Sequence, residues 1–516
     1  MFLKKPNRFF VLILFFILIG FGYLQTVNLL DPDFGWHIKT GELILERGVP
    51  RIDWYSYTMP DFPWIDHEWL TDILIYKLHS FFGYQVLLLL FLVMAAFAFT
   101  IFIRIENFYI YLVPVLFGFL SILAYLGLRP QIVTMLFVAV LWKVLLDFLD
   151  KYDKGFHLFY LIPLLFLIWV NLHGGFAAGI FILGLVLLLE IIKKTNFFVK
   201  VICLKIFDGQ YYTKLSIRKI IIIFWVLFVS LLATVINPYG VRIYEEVFRS
   251  AGDNFLRFHI AEWLPLLFSD ISSFAIFYLS LFIGLFFVLR KKIEISRCVV
   301  VLLFLALSLI SQRHLSILAV LSVPVLSQII MFFNEKISQE RIGSFFSGLG
   351  KAAIIFFIFA LFFSGFHQNI YKLFSGKNQI DYPEQAVSFL KTLPLSKNLF
   401  NEYGWGGYLI WKLPERRLFI DGRMPSWRQH GNFVFGDYIK IGRAEEGFSD
   451  LLSRYNIELI LLRVASKDSG FKKETTIKNW FAKIVGYRPA RGLYGELIDS
   501  GWKVIYKDGV AIILER

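Results

Sequence analysis

Two carboxylates stand two residues apart just after the first apolar segment of the chain, as Asp31-Pro32-Asp33. The proline fixes its own φ angle and biases Asp31 towards an extended backbone, which would hold both side chains in one place. The two carboxylates could share a divalent cation such as Mg²⁺ or Mn²⁺, or one of them could act as a general base. The structural alternative is that Asp33 caps the helix that follows.

Further titratable residues follow in the same stretch. His37 lies one helical turn after Asp33 and on the same helix face. It could orient that carboxylate, bind a phosphate, or simply be a histidine at a polar interface. The run Asp66-His67-Glu68 is typical of a metal or acid-base cluster, but Asp66 also suits a helix N-cap and Glu68 its first turn. We favour the structural interpretation of that run.

Five short polar clusters interrupt the apolar sequence. They are Asp31-Pro32-Asp33, Arg129-Pro130-Gln131, Asn171-Leu172-His173-Gly174-Gly175, Asn237-Pro238-Tyr239-Gly240 and Gln312-Arg313-His314. Arginine suits phosphate because its planar fork can donate two hydrogen bonds. If the ligand carries a phosphate, as the family resemblance described below implies, Arg129, His173, Arg313 and His314 would bind it together with His37. The alternatives are that each cluster only ends a helix, or that the arginines reach for lipid headgroups.

The composition decides which elements must hold these side chains. Of 516 residues, 57% are hydrophobic, 58 are Phe, and the mean hydropathy is +0.64. Such a chain cannot be a soluble cytosolic enzyme or a disordered protein, because its apolar side chains exceed what one water-soluble core can bury. Charged residues make up 37 of the last 136 positions but only 55 of the first 380. We predict a membrane domain over 1–380 and a soluble domain over 381–516.

We predict a polytopic α-helical membrane protein with about eleven transmembrane helices. They lie near 9–30, 84–103, 108–126, 130–147, 157–171, 175–192, 219–236, 271–289, 299–311, 315–333 and 350–367. Lys and Arg are concentrated in alternate loops, which places the N-terminus inside and both the loop 31–83 and the C-terminal domain outside. The net charge of +14 follows from this topology and does not indicate a nucleic-acid partner. The first span has no small-residue cleavage site, so we predict that it is retained.

Two regions outside the spans have patterns of their own. The loop 31–83 predicts two amphipathic helices, over 34–47 and 66–82, that lie in the plane of the membrane among many Trp and Tyr residues. Residues 381–516 predict a small α/β domain with helices at 383–393 and 450–455 and strands at 399–401, 418–420, 459–462, 502–506 and 511–514. Gly404, Gly406 and Gly407 favour close backbone packing over sugar binding. This domain could bind an acceptor glycan or a partner protein.

The first loop resembles that of the GT-C superfamily of integral-membrane glycosyltransferases. The resemblance is carried by Asp31-Pro32-Asp33, Trp36-His37, Gly41, Gly48, Pro50, Asp53, Ser56-Tyr57-Thr58 and His67-Glu68-Trp69-Leu70. It implies a GT-C architecture over about 380 residues, a polyprenyl-linked sugar donor, and a catalytic acidic residue in the first outer loop. That role would fall to Asp33, with Asp31 as its partner. No WWDYG-like run occurs, which disfavours transfer of N-linked oligosaccharides.

The resulting prediction is a glycosyltransferase of the cytoplasmic membrane. It would move a sugar from a polyprenyl-phosphate carrier to an extracytoplasmic acceptor, which the sequence does not identify, with a first-loop aspartate as catalytic base. The sequence identifies no cofactor beyond the divalent cation considered above. The alternatives are a non-catalytic protein of cell-envelope assembly and a lipid-sugar transporter.

Overall fold

The chain is mostly helical in the computed structural model, which describes residues 7–150, 156–195, 213–253, 255–266, 293–339, 382–464 and 493–516. The helices are α1 (Arg8–Thr26), α2 (Phe34–Arg47), α3 (Trp69–Thr100), α4 (Phe108–Ser121), α5 (Gln131–Leu149), α6 (Phe156–Phe159), α7 (Ile162–Leu172), α8 (Phe176–Ile192), α9 (Ile217–Ala233), α10 (Ile243–Gly252), α11 (Leu256–His259), α12 (Ile295–Ile310), α13 (Leu315–Gln339), α14 (Glu384–Leu390), α15 (Gly406–Lys412), α16 (Val434–Gly442), α17 (Phe448–Arg454) and α18 (Leu493–Asp499). The strands are β1 (Asn398–Asn401), β2 (Ile457–Arg463), β3 (Lys503–Lys507) and β4 (Ala511–Glu515).

Apolar helices occupy the predicted spans throughout the described residues, and the spans predicted at 271–289 and 350–367 lie outside those residues. By length and composition, α1, α3, α5 and the run Gln312–Phe332 could each cross a membrane. Shorter apolar helices accompany them, including α8 and α12. The predicted class of a polytopic helical membrane protein with a C-terminal α/β region is confirmed.

The chain forms two compact units. Unit 1 comprises Met1–Leu29, Phe82–Val247 and Arg257–Lys377, and unit 2 comprises Leu30–Phe81, Phe248–Leu256 and Asn378–Arg516. The boundary between 81 and 82 coincides with a break inside α3, where Gly83 has a φ of 75°. Glycine tolerates this backbone because it has no Cβ. The break separates the predicted interfacial helix from the predicted span.

Unit 1 is a bundle of the apolar helices. Its α13 packs on α4, α5 and α12, while α9 packs on α7 and α8. Large apolar side chains remain exposed on the outside of these helices, among them Phe16 (66%), Trp225 (55%) and Leu232 (54%). Surfaces of this kind are not stable in water, and they match helices that face lipid.

Unit 2 is built around a four-stranded sheet of order β1-β2-β4-β3. Strands β1 and β2 are parallel, and β4 is antiparallel to both β2 and β3. Four of the five predicted strands are confirmed, but the strand predicted at 418–420 is wrong. In its place, Leu418 forms single bridges to Leu399 and to Ser56.

The Ser56 bridge shows that the first loop is part of the fold of unit 2. The Tyr57 amide donates to the Leu418 carbonyl at 3.1 Å, and the Leu418 amide donates to the Tyr55 carbonyl at 2.9 Å. The Thr58 hydroxyl donates to the Phe419 carbonyl at 2.8 Å. The sequence predicts 31–83 as part of the membrane domain, because a backbone pairing across some 360 positions leaves no local pattern.

The glycine-rich segment brings α15 against α2. A Cβ at Gly407 would lie 2.2 Å from the Pro32 carbonyl oxygen, and a Cβ at Gly35 would lie 2.2 Å from the Gly407 carbonyl oxygen. Either contact is too short for a side chain, so glycine is required on both helices. Gly406 meets Asp421 in the same way, whereas a Cβ at Gly404 would meet nothing within 4 Å. The close packing favoured from the sequence is therefore present at two of the three glycines.

Candidate functional site

The two aspartates of the first loop lie at the start of α2, and both are half-buried. Asp31 Oδ1 accepts the Asp33 backbone N–H at 3.0 Å. Asp33 occupies the N-cap position, but its side chain makes no capping hydrogen bond to the helix. The structural alternative weighed for Asp33 is therefore not formed, and its carboxylate is directed elsewhere.

The Asp33 carboxylate lies against Gly422, a residue far away in the sequence. A Cβ at Gly422 would stand 2.0 Å from Asp33 Oδ1 and 3.5 Å from its Oδ2. Any side chain at position 422 would therefore displace the carboxylate. The Asp421-Gly422-Arg423 turn therefore packs directly against the Asp33 side chain.

Arg423 holds this turn to the first loop. Its Nη2 donates to Asp53 Oδ1 at 2.8 Å and to Asp421 Oδ2 at 2.7 Å, and its Nε donates to Asp421 Oδ1 at 2.8 Å. The guanidinium side chain is only 3% exposed, and both carboxylate side chains are fully buried. Asp53 also accepts the backbone amides of Tyr55 and Ser56. One arginine thus joins two buried carboxylates that are 368 residues apart.

Aromatic rings surround the same guanidinium. Its central carbon lies 4.3 Å from the ring centre of Trp64, 4.7 Å from that of Tyr55 and 5.2 Å from that of Trp427. Burial alone would lower the pKa of Arg423, but Asp421 and Asp53 outweigh it, so the pKa is raised. Arg423 is therefore a permanent cation that is enclosed by two carboxylates and three aromatic rings.

His37 is buried rather than facing a ligand. It is 2% exposed, its Nδ1 lies 2.6 Å from Asp72 Oδ1, and its Nε2 lies 3.7 Å from Glu68 Oε2. A buried ring does not favour the predicted phosphate contact, and the carboxylate that orients it is Asp72 instead of Asp33. Among the described residues, His37, Glu68 and Asp72 are the only group of three that could hold a metal ion, and neither Asp31 nor Asp33 belongs to it.

The predicted phosphate ligands Arg129 and Arg313 lie in unit 1 and line one cavity. Arg129 Nη1 donates to Glu262 Oε1 at 2.8 Å, and the Arg313 guanidinium lies 4.9 Å from the ring centre of Trp263. The other lining residues are both polar and apolar: Tyr125, Gln131, Glu262, Ser316, Ile122, Leu126, Ile132 and Met135. The cavity is therefore amphipathic.

The two other predicted ligands of unit 1 do not line this cavity. His173 is 3% exposed, and its Nδ1 accepts the Gly175 amide at 2.9 Å and lies 2.6 Å from Thr134 Oγ1. It terminates α7, which matches the structural alternative for that cluster. His314 packs edge-on against Phe304, with ring centres 6.5 Å apart.

Two features of this region were missed from the sequence. Asp72 received no role, although its spacing of four from Glu68 on a helix puts both carboxylates on one face. Nothing in the local sequence predicted that the Asp421-Gly422-Arg423 run meets Asp33 and Asp53. An acidic residue in the first turn of a long apolar helix is a signal that could have identified Asp72.

Comparison with known proteins finds similarity in structure and not in sequence. No family model matches the chain, and no curated protein matches it. The crystal structure of the oligosaccharyltransferase of Archaeoglobus fulgidus, tethered to an acceptor peptide with an NVT sequon, is 11% identical, with a TM-score of 0.54 over 89% of this chain and 69% of that one. ArnT from Cupriavidus metallidurans, bound to undecaprenyl phosphate, is 10% identical, with a TM-score of 0.46 over 98% and 97% of the two chains.

The first of these similarities confirms the predicted fold. The oligosaccharyltransferase is a GT-C membrane glycosyltransferase, and the match covers most of both chains. The protein is therefore a polytopic membrane protein with the GT-C fold.

We predict that Gly422→Ala acts through Asp33. The added methyl group should lower the free energy of unfolding by about 1–3 kcal/mol, as overpacking of a filled site does. In an Asp33→Ala background the cost should largely disappear, because the displaced carboxylate is gone. A double-mutant cycle of thermal unfolding in detergent measures this coupling. Gly442→Ala, where a Cβ meets nothing within 4 Å, is the control, and an equal cost in both backgrounds would contradict the contact.

We predict that Arg423→Met destabilises the protein strongly. It would leave Asp53 and Asp421 buried without a cation, which typically costs about 3–5 kcal/mol. Arg443→Met is the matched control, because Arg443 and Glu445 lie 3.6 Å apart with side chains 34% and 44% exposed, and exposed pairs contribute at most about 1 kcal/mol. Chemical unfolding of the full chain compares the two variants. A similar loss of unfolding free energy in both would show that the buried ion pair contributes no more than an exposed one.

Proposed function

We propose that this protein is a membrane glycosyltransferase that moves a sugar from a polyprenyl-phosphate donor to an acceptor outside the cell membrane. The fold supports this class of activity, because the GT-C fold is that of membrane glycosyltransferases. The choice of donor rests on one observation, which is the amphipathic cavity of unit 1.

That cavity fits the two halves of a lipid phosphate. Arg129 and Arg313 supply positive charge to its lining, and a phosphate would accept paired hydrogen bonds from them. The apolar lining residues Leu126, Ile132 and Met135 suit the first isoprene units. Glu262 already holds Arg129 in place at 2.8 Å, so a phosphate would add to an oriented guanidinium. His173, buried at the end of α7, and His314 have no direct role in this proposal.

Asp33 is proposed as the catalytic carboxylate. It would accept the proton of the acceptor hydroxyl, whose oxygen then attacks the anomeric carbon of the sugar. The bond from that carbon to the phosphate oxygen breaks, and polyprenyl phosphate leaves with the electron pair. Direct attack inverts the anomeric configuration. The half-buried state of Asp33 supports this role, because the carboxylate is reachable and yet held against Gly422.

Asp31 is proposed as the partner that orients Asp33, since its Oδ1 accepts the Asp33 amide. A divalent cation at these two carboxylates was the other prediction. Asp31 Oδ1 is occupied by the amide, and no third ligand joins the pair among the described residues. We therefore route no step of the reaction through a metal at this position.

We expect Asp33→Asn to lower turnover by about 10²–10⁴-fold, which is the range for loss of a general base. The full-length protein in lipid nanodiscs would be mixed with a panel of polyprenyl-phosphate sugars, and release of polyprenyl phosphate would be followed. Asp31→Asn should lose less activity, because the amide oxygen can still accept the Asp33 N–H. Asp61→Asn, an exposed carboxylate of the same loop, should behave as wild type. Full turnover by Asp33→Asn would move the chemistry to another residue.

We expect Arg313→Gln to weaken donor binding. Loss of a charged hydrogen bond costs about 1.5–3 kcal/mol, which raises KM for the donor by roughly 10- to 100-fold. Arg242→Gln is the control, because Arg242 is 48% exposed and pairs only loosely with Glu245 at 3.5 Å. An unchanged KM in Arg313→Gln would show that the cavity does not take the phosphate.

A further inference from the structure

A second buried cluster lies in unit 2, between α2 and the start of α3. His37 projects from α2, while Glu68 and Asp72 come from the residue before α3 and from its first turn. One ring nitrogen of His37 and one oxygen from each carboxylate lie within 4.8 Å of one another. All three residues are at most 5% exposed. The proposed transferase chemistry does not use them.

Among the described residues of this region, buried acidic side chains outnumber the cationic side chains that contact them. Five of its carboxylic side chains are buried: Asp53, Asp66, Glu68, Asp72 and Asp421. Arg423 neutralises only one charge of the Asp53–Asp421 pair. His37 contacts Asp72 and Glu68, and His67 lies 3.5 Å from Glu68. With both imidazoles protonated, five negative charges would still face three positive ones, and uncompensated buried charge is costly.

Two buried carboxylate oxygens locate the missing proton or cation. Asp66 Oδ2 and Asp72 Oδ2 have no hydrogen-bond donor among the described residues, although the two side chains are close enough to hydrogen-bond to each other. Two carboxylates have no proton between them, so this contact requires an added proton or a cation.

We propose that His37, Glu68 and Asp72 bind one transition-metal dication of the Zn²⁺ or Mn²⁺ class. Imidazole and carboxylate together suit these ions, whereas Mg²⁺ prefers oxygen ligands and retained water. Ligand atoms around such an ion stand at about 2.0–2.2 Å from it. The three side chains would therefore close on the ion by small rotations.

The proposed ion is structural rather than catalytic. Three ligands leave one coordination position for water, but all three side chains are buried, which keeps a substrate away from the ion. The ion would tie α2 to the start of α3. Since Asp33 stands at the first turn of α2, the cross-link would also keep the catalytic candidate in place.

Metal analysis of the full-length protein, purified in detergent without added metal or chelator, tests the proposal. Inductively coupled plasma mass spectrometry should find about one zinc or manganese ion per chain. Loss of a carboxylate that only supports a metal ligand typically costs 10- to 100-fold in metal affinity. Loss of a ligand should cost at least as much, so Glu68→Gln and Asp72→Asn should retain about a tenth of the metal or less. Glu42→Gln is the control on α2, because that carboxylate is part-exposed and pairs with Lys39. Asp33→Asn should also keep its metal.

Thermal unfolding supplies a readout that does not need the variants to fold perfectly. A chelator should lower the unfolding midpoint of wild type, and added Zn²⁺ or Mn²⁺ should restore it, because an ion that binds only the folded state stabilises that state. Absence of stoichiometric metal in wild type, together with no shift on adding either ion, would overturn the proposal in favour of shared protons. Metal loss in Asp33→Asn but not in Asp72→Asn would also overturn it. Neither readout uses sugar transfer, so the proposed activity can fail independently.

Discussion

The buried ion pair of Arg423 with Asp53 and Asp421 is the constraint on which the rest of unit 2 depends. It joins a residue of the first loop to a turn near the C-terminus, with all three side chains at most 3% exposed. Removing one partner of such a buried pair is strongly destabilising, because it leaves an uncompensated buried charge. Here Asp53 also accepts two backbone amides, and three aromatic rings enclose the guanidinium. The first loop is therefore held by charge as well as by backbone pairing.

The position of Asp33 follows from that constraint. Gly422 lies between Asp421 and Arg423, the two turn residues of the buried ion pair. The ion pair that fixes this turn therefore also fixes the backbone that contacts the Asp33 carboxylate. The close approach of Gly35 to Gly407 fixes the other end of the same arrangement, because neither helix could carry a side chain there. A catalytic carboxylate must be held precisely, since misplacement by about 1 Å can cost 10²-fold in rate. In the catalytic role proposed for Asp33, the C-terminal segment would therefore contribute by positioning rather than by chemistry of its own.

Unit 1 meets a different physical demand. Its outward side chains are apolar because lipid surrounds them, so charge is tolerated only where it is paired or functional. Arg129, held by Glu262, and Arg313, stacked on Trp263, satisfy that condition at one amphipathic cavity. A lipid phosphate has the same division into charged and apolar parts. His173 fits the structural alternative, because its ring nitrogen is engaged by the Gly175 amide at the end of a helix.

The sequence by itself determined the apolar spans, the α/β character of the last 136 residues, and the carboxylates and arginines with chemical potential. These are properties of composition and of local periodicity, which a reader can see in one segment at a time. Only the tertiary structure decided that Asp33 meets Gly422, that Arg423 meets Asp53, and that His37 is buried with Glu68 and Asp72. The tertiary structure also shows that residues 418–420, expected as a strand, pair with the first loop instead. Such contacts join segments hundreds of residues apart, and they depend on side-chain geometry that no local pattern records.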